Sequence, residues 1–212
     1  MQVRIDLKII LVLLIFCISN QLEIYILFMI FAFIHELGHL LIGLFLGFKP
    51  KRISIIPMGL SICFDSKYLL FDVKKVALKK IIVASAGPAI NLFLAIIFSL
   101  VNVKFFNFIK TEIIYANLLI AFFNLIPIYP LDGGQIAKNI ILIFKGLKNS
   151  YKYTNNISNI TLIILTIISS IAILYFKNIA IVFILAFLWI LVIKENIIYN
   201  KKMNLYKLLE EL

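Results

Sequence analysis

From Ile24 to Gly47 the chain is almost wholly apolar, and both of its histidines lie inside that run. A helix of this length spans the ~30 Å hydrocarbon core of a bilayer at 1.5 Å per residue. An ionisable side chain at that depth costs about 2.5–3.5 kcal/mol on insertion scales, so it marks a functional site by default. The polar residues occur as His35-Glu36-Leu37-Gly38-His39. On a helix, positions i and i+4 share one face, one turn apart, so both imidazoles can reach a single ion. Glu36 is turned roughly 100° from His35, beside the ion rather than on it, where it can hold a water and take its proton. This is the His-Glu-x-x-His arrangement of zinc hydrolases. The bland alternative is a polar pair satisfied by neighbouring helices.

Of the 212 residues 63% are hydrophobic, above the ~45–50% of soluble domains, so the chain reads as an integral membrane protein with several spans and no sizeable soluble domain. The net charge of +11 then reads as loop lysines facing anionic lipid, not as a nucleic-acid surface. Cys17 and Cys63 make no disulfide framework. Arg4 and Lys8 precede an apolar run, Ile9 to Ile18, with no small-x-small cleavage site after it, which predicts a retained first span rather than a signal peptide.

Hydropathy and length predict an all-α polytopic membrane protein of about six helices, at about 5–20, 24–47, 80–101, 113–129, 157–176 and 179–198. Lysines orient them. Lys49, Lys51, Arg52, Lys67, Lys74, Lys75, Lys79 and Lys80 fall between the second and third spans. Lys138, Lys145, Lys148 and Lys152 fall between the fourth and fifth, and Lys201, Lys202 and Lys207 follow the sixth. The opposite side has Lys104, Lys110 and Lys177. This bias predicts a multi-pass membrane protein with both termini, and the histidine half of span two, toward the cytoplasm. The heavy use of Ile, Lys and Asn suggests an AT-rich bacterial genome, hence a bacterial cell membrane.

Residues 49–75 read as a small β-rich segment, cytoplasmic or re-entrant, between the second and third helices. Its strands are expected at Ile53–Ile56, Leu60–Phe64 and Tyr68–Phe71, with turns at Pro57-Met58-Gly59 and Asp65-Ser66-Lys67. An exposed edge there could pair with an extended peptide, and an amphipathic connector is the alternative. The membrane domain is expected over 1–200, with its core at 24–140. A short cytoplasmic tail, 201–212, follows and is able to form an amphipathic helix.

A catalytic zinc usually has three protein ligands and an open position. Among ten acidic residues, Asp132 stands apart, following a span in Asn124-Leu125-Ile126-Pro127-Ile128-Tyr129-Pro130-Leu131-Asp132-Gly133-Gly134. The prolines break the helix, the glycines permit close turning, and broken backbone at membrane depth belongs where it lines a cavity or is buried. By the lysine bias Asp132 lies at the level of the histidines. It is either the third ligand or the cap of a helix beginning at Gly133. In Ser85-Ala86-Gly87-Pro88-Ala89-Ile90-Asn91, small residues predict close helix packing and Asn91 needs a polar partner. Asn91 either binds substrate backbone or an oxyanion, or joins helices.

Taken together, His35-Glu36-Leu37-Gly38-His39, Gly87-Pro88-Ala89-Ile90-Asn91, and Asn124-Leu125-Ile126-Pro127 leading to Leu131-Asp132-Gly133-Gly134 resemble the site-2 protease family of intramembrane metalloproteases. Without an inserted PDZ domain, the pattern is most similar to the branch containing stage IV sporulation protein FB. Members of that branch commonly carry a C-terminal CBS domain, expected to be missing here. The resemblance implies one zinc ion on His35, His39 and Asp132, Glu36 as catalytic acid–base, and substrate contacts by Asn91 and Asn124. It implies hydrolysis of a peptide bond in or near the membrane segment of a membrane-associated protein, such as a pro-sigma factor or another tethered regulator, with control by a regulatory membrane protein. Two other readings stay open: a zinc or cation transporter, which would want more intramembrane ligands, and a non-catalytic membrane partner, for which Glu36 has no use.

Overall fold

The computed structural model describes residues 2–5, 13, 17–18, 21–56, 59–65, 72–101, 109–176 and 180–210. Most of the expected first span and the expected strand at Tyr68–Phe71 lie outside them. The chain divides into two units, Met1–Asn124 and Leu125–Leu212.

In the first unit, strand β1 (Gln2–Ile5) precedes helix α1 (Leu22–Phe45). Gly47, at φ +86°, ends α1 in the left-handed conformation that favours glycine. The Gly47 N–H bonds the Leu44 carbonyl and the Phe48 N–H reaches back to Gly43, a paired closure that satisfies two carbonyls of the last turn. The chain thereby turns at once into β2 (Lys49–Ile56), which pairs antiparallel with β3 (Gly59–Asp65), from Lys49 opposite Asp65 to Ile56 opposite Gly59. Pro50 has no N–H for the ladder, and the register shifts between Pro50 and Arg52. β1 adds to β2 in parallel, giving the order β1-β2-β3. The sheet is fastened to α1 by Phe64, whose ring lies where a side chain on Gly43 would stand and tilts against the buried ring of Phe48.

Helix α2 (Val73–Leu100) is capped by Asp72, whose carboxylate accepts the N–H groups of Lys74 and Lys75 at 3.1 Å each. Helix α3 (Lys110–Leu125) completes the unit. Phe31 and Ala32 of α1 and Ile113 and Ile120 of α3 form its core, with Leu94 and Phe98 of α2 packed against them.

The second unit holds α4 (Asp132–Phe176) and α5 (Ala180–Glu210). α4 is two helices joined at Gly146, whose φ of 77° and ψ of 176° no helix contains. Ser150 Oγ donates to the Lys138 carbonyl at 2.7 Å, although twelve residues of continuous helix would separate them by about 18 Å. The two halves therefore fold back on each other. The latter half packs on α5 through Leu162, Leu188 and Val192, through the reciprocal amides of Asn159 and Asn196 at 3.0 and 3.2 Å, and through Trp189 Nε1 donating to Thr166. Its outer side exposes Ile160, Ile163, Ile164, Ile167, Ile168 and Ile171, a surface suited to lipid.

Among the described residues, four helices are long and apolar enough to cross a membrane: α1, α2, and stretches of α4 and α5. Six spans were expected. α3, at the place of the fourth, has only 16 residues, and it ends two residues before Pro127. α5 runs on past 198 to Glu210, through the stretch read as a tail.

Candidate metal centre

The apolar side of α1 is interrupted where Phe31, Ala32, His35, Gly38 and His39 turn inward. His35 and His39 are 3% and 7% exposed, their rings meeting edge to face with centroids 4.8 Å apart. The Nε2 atoms face each other at 3.1 Å. Each Nδ1 is occupied from α2: His35 donates to Asn91 Oδ1 at 2.6 Å, and His39 to the Val83 carbonyl at 2.7 Å.

These partners settle where the ring protons lie. A carbonyl oxygen only accepts, so His39 carries its proton on Nδ1. The Asn91 amide is oriented by its own contacts: Nδ2 donates to Asn117 Oδ1 at 2.8 Å, and Asn117 Nδ2 donates to the Ile113 carbonyl at 2.8 Å. Asn91 Oδ1 is thus turned to His35 and accepts, so His35 also carries its proton on Nδ1. With Nδ1 as the donor in each ring, Nε2 is the nitrogen left to offer a lone pair, and the two Nε2 atoms point to one place, where a cation can take both. Two nitrogens on a tetrahedral zinc at ~2.05 Å lie about 3.3 Å apart, close to the spacing found. The donor pair fits zinc, and the Asn91–Asn117 relay is the outer support that fixes ligand orientation in such sites.

The main chain of α2 makes room for this. A side chain on Gly87 would meet His39 Nε2 at 2.5 Å and His35 Nε2 at 2.6 Å. A side chain on Gly38 would meet Ile90 at 2.6 Å, which sets how closely α1 and α2 approach. Pro88, buried beside Gly87, carries no N–H.

Asn91 is fully buried, and both ends of its amide are engaged by His35 and Asn117, rather than turned to a substrate. Asn124 lies half-buried in the last turn of α3 and donates to the Ile120 carbonyl at 3.0 Å. Glu36, next to His35, is half-buried. In the second unit Asp132 opens α4 and is 7% exposed. The segment before it folds onto the start of α4: side chains on Gly133 and Gly134 would collide with the backbone of Leu125 and Tyr129. Ile128 is fully buried there, Gln135 donates to the Pro130 carbonyl, and the Tyr129 N–H bonds Ser158 Oγ at 3.0 Å. Reasoning from sequence missed Asn117, Gly87 as the floor beneath the rings, and the Val83 carbonyl. Asn117 carries the same signal that singled out Asn91, an amide inside an apolar stretch of helix.

The pattern of peptidase family M50 matches residues 23–113 and 99–168. A zinc metalloprotease of Methanocaldococcus jannaschii is 29% identical over 139 residues, 63% of this chain and 38% of that protein. Stage IV sporulation protein FB of Bacillus subtilis is 29% identical over 110 residues, 51% of this chain and 36% of that one. The chain thus spans less than two fifths of the length of these curated relatives. In fold it is similar to the solved site-2 protease from Methanocaldococcus jannaschii, with a TM-score of 0.65 at 23% identity, over 91% of this chain and 89% of that one. The family pattern covers residues 23–168 of this chain, and the chain belongs to peptidase family M50.

Proposed function

We propose that this chain is an intramembrane zinc metalloprotease that hydrolyses a peptide bond in or near the membrane segment of a membrane-associated protein. The observation that carries this reading is the pair of Nε2 lone pairs facing each other at 3.1 Å with both Nδ1 protons committed elsewhere. His35, His39 and Asp132 are all buried, each offers one ligand atom, and together they would hold one zinc. Zinc bound there supplies a Lewis acid that polarises the scissile carbonyl and acidifies water. Glu36 takes the proton of the attacking water and returns it to the leaving amine. Asn91 and Asn117 hold the His35 ring so that Nε2 is the nitrogen turned to the metal. The apolar sides of α1 and α2 keep bulk water from these groups. Among the described strands β3 lies at an edge of the sheet, and a substrate segment unwound from its helix would add there as an extended peptide.

The lysine bias supports termini and site on the cytoplasmic side. The resemblance to the branch of stage IV sporulation protein FB, read from the motifs above, favours a membrane-tethered regulator, such as a pro-sigma factor, as substrate class, with a regulatory membrane protein as partner.

The test uses the full chain reconstituted with a tethered substrate. Glu36→Gln is expected to lower cleavage by at least about a hundredfold, in the range of general acid–base catalysis, with one zinc per chain retained. Asp132→Asn is expected to lower zinc content as well as cleavage. Undiminished cleavage by the Glu36 variant would defeat the protease reading, and unchanged zinc content would remove Asp132 from the ligand set.

A further inference from the structure

The second unit holds a polar pocket that the proteolytic reading does not use. It lies between the start of α4, its returning half and α5, with a cavity volume of about 30 Å³. That exceeds the ~10–15 Å³ one water needs and suits a small polar group. Lys138 and Lys202 both line it. Lys138 Nζ stands 4.2 Å from the ring centre of Tyr129 and 4.7 Å from that of Tyr151, and Lys202 Nζ stands 4.2 Å from Tyr151. Two ammonium groups thus share one aromatic ring in spite of their like charge. Among the described residues Glu195 is the single acid lining the pocket, against the two lysines, which leaves one positive charge in excess.

The second observation is Thr154. It is 4% exposed, lines the same pocket, and its hydroxyl has no hydrogen-bond partner among the described residues. A helical threonine ordinarily returns its hydroxyl to the carbonyl four residues back, as Thr166 does to Leu162 at 2.7 Å. A buried hydroxyl left unpaired is costly and calls for a partner from outside the chain. Cations, an unmet hydroxyl and a small cavity together describe an anion with several acceptor oxygens.

The position of the pocket indicates the source. On one side of it α4 and α5 are apolar, at Ile160–Ile171 and Ile181–Val192. On the other they carry Lys145, Lys148, Lys152, Lys201 and Lys207. Tyrosines and lysines at such a boundary mark the headgroup level of a bilayer. We propose that Lys138, Lys202 and Thr154 bind a phosphate group, delivered as the headgroup of an anionic phospholipid, with Tyr129 and Tyr151 holding the lysines in place. The proposal rests on α4 and α5 crossing the membrane and is independent of proteolysis.

The test follows the thermal midpoint of the delipidated full chain in neutral detergent during titration with three probes: dioctanoyl phosphatidylglycerol, inorganic phosphate, and dioctanoylglycerol, which has the same tails and no phosphate. A saturable rise with phosphatidylglycerol is expected, absent with dioctanoylglycerol. Thr154→Val, which keeps the packing, and Lys202→Gln are each expected to raise the half-saturating concentration about tenfold. The same saturable, variant-sensitive rise with inorganic phosphate would support the phosphate site and assign it to free phosphate. An equal rise with dioctanoylglycerol, no rise with either phosphate probe, or a rise untouched in both variants would overturn it.

Discussion

The His35 cluster in the first unit and the Lys138 cluster in the second are both polar islands between apolar helices, and they are built differently. Around His35 each acceptor is a helix carbonyl or an amide pinned by one, so the ring protons have a single arrangement. Around Lys138 the charges sit on long side chains lying over tyrosine rings, and one hydroxyl, that of Thr154, has no partner among the described residues. The first is preorganised by main chain and suits an ion of fixed radius. The second is adaptable and suits a ligand that brings its own acceptors. A polar island in a membrane fold thus announces its task by what pins it.

The largest break in that contrast comes from the floor of the first cluster. Gly87→Ala places a methyl group against both imidazoles, and it is expected to lower zinc content and to cut cleavage by about a hundredfold, the scale of an ångström-sized misplacement. Zinc stoichiometry by atomic emission, beside a cleavage assay, decides this. A fully loaded variant would show that the rings move freely. Next comes the relay. Asn91→Leu removes the acceptor that holds His35, and zinc affinity in competition with a chelator is expected to fall 10- to 100-fold. Asn117→Leu, one step further out, should fall near the low end of that range. Equal affinities in all three chains would mean that the relay supports only packing.

A smaller effect is expected from the paired amides of the second unit. Asn159→Leu strands the Asn196 amide and is expected to cost about 0.6–1.7 kcal/mol, the span found for interhelical hydrogen bonds in membranes. The double variant Asn159→Leu, Asn196→Leu should recover part of that in a double-mutant cycle of unfolding, and strict additivity would show the amides uncoupled. The smallest belongs to Asp72, an exposed cap outside both clusters. The N–H of Lys75, with lesser help from its ammonium charge and the N–H of Lys74, holds the Asp72 carboxyl below its ordinary value. A lowered folded-state value stabilises the chain above the ordinary carboxylate range and is lost as pH falls through it. The thermal midpoints of the chain and of Asp72→Asn should therefore differ slightly near neutrality and converge in acid. A gap that persists in acid would assign the effect to something other than the charge.

The helix spacing of His35, Glu36 and His39 is written into a few adjacent residues, so it was legible at once. The relay was not, because Asn91 lies 56 residues from His35 and Asn117 a further 26, and only the packing of α1, α2 and α3 joins them. The reversal at Gly146 was equally hidden. Gly146 heads a polar run, Lys148 to Asn156, so the stretch from 132 to 156 reads as a loop rather than as two helices that reverse at one residue. The fourth span expected at 113–129 falls on α3, which stops at Leu125 because Pro127 and Pro130 weigh on helix length more than hydropathy does.

Gly87 lends the histidine pair only a hydrogen atom where any other residue would intrude. The gap between the rings and the opposite wall is therefore measured by how far apart two helix axes lie, with no flexible group to absorb an error. A change in bilayer thickness or tension that tilts α1 against α2 would be felt directly as a change in how well the ion is held.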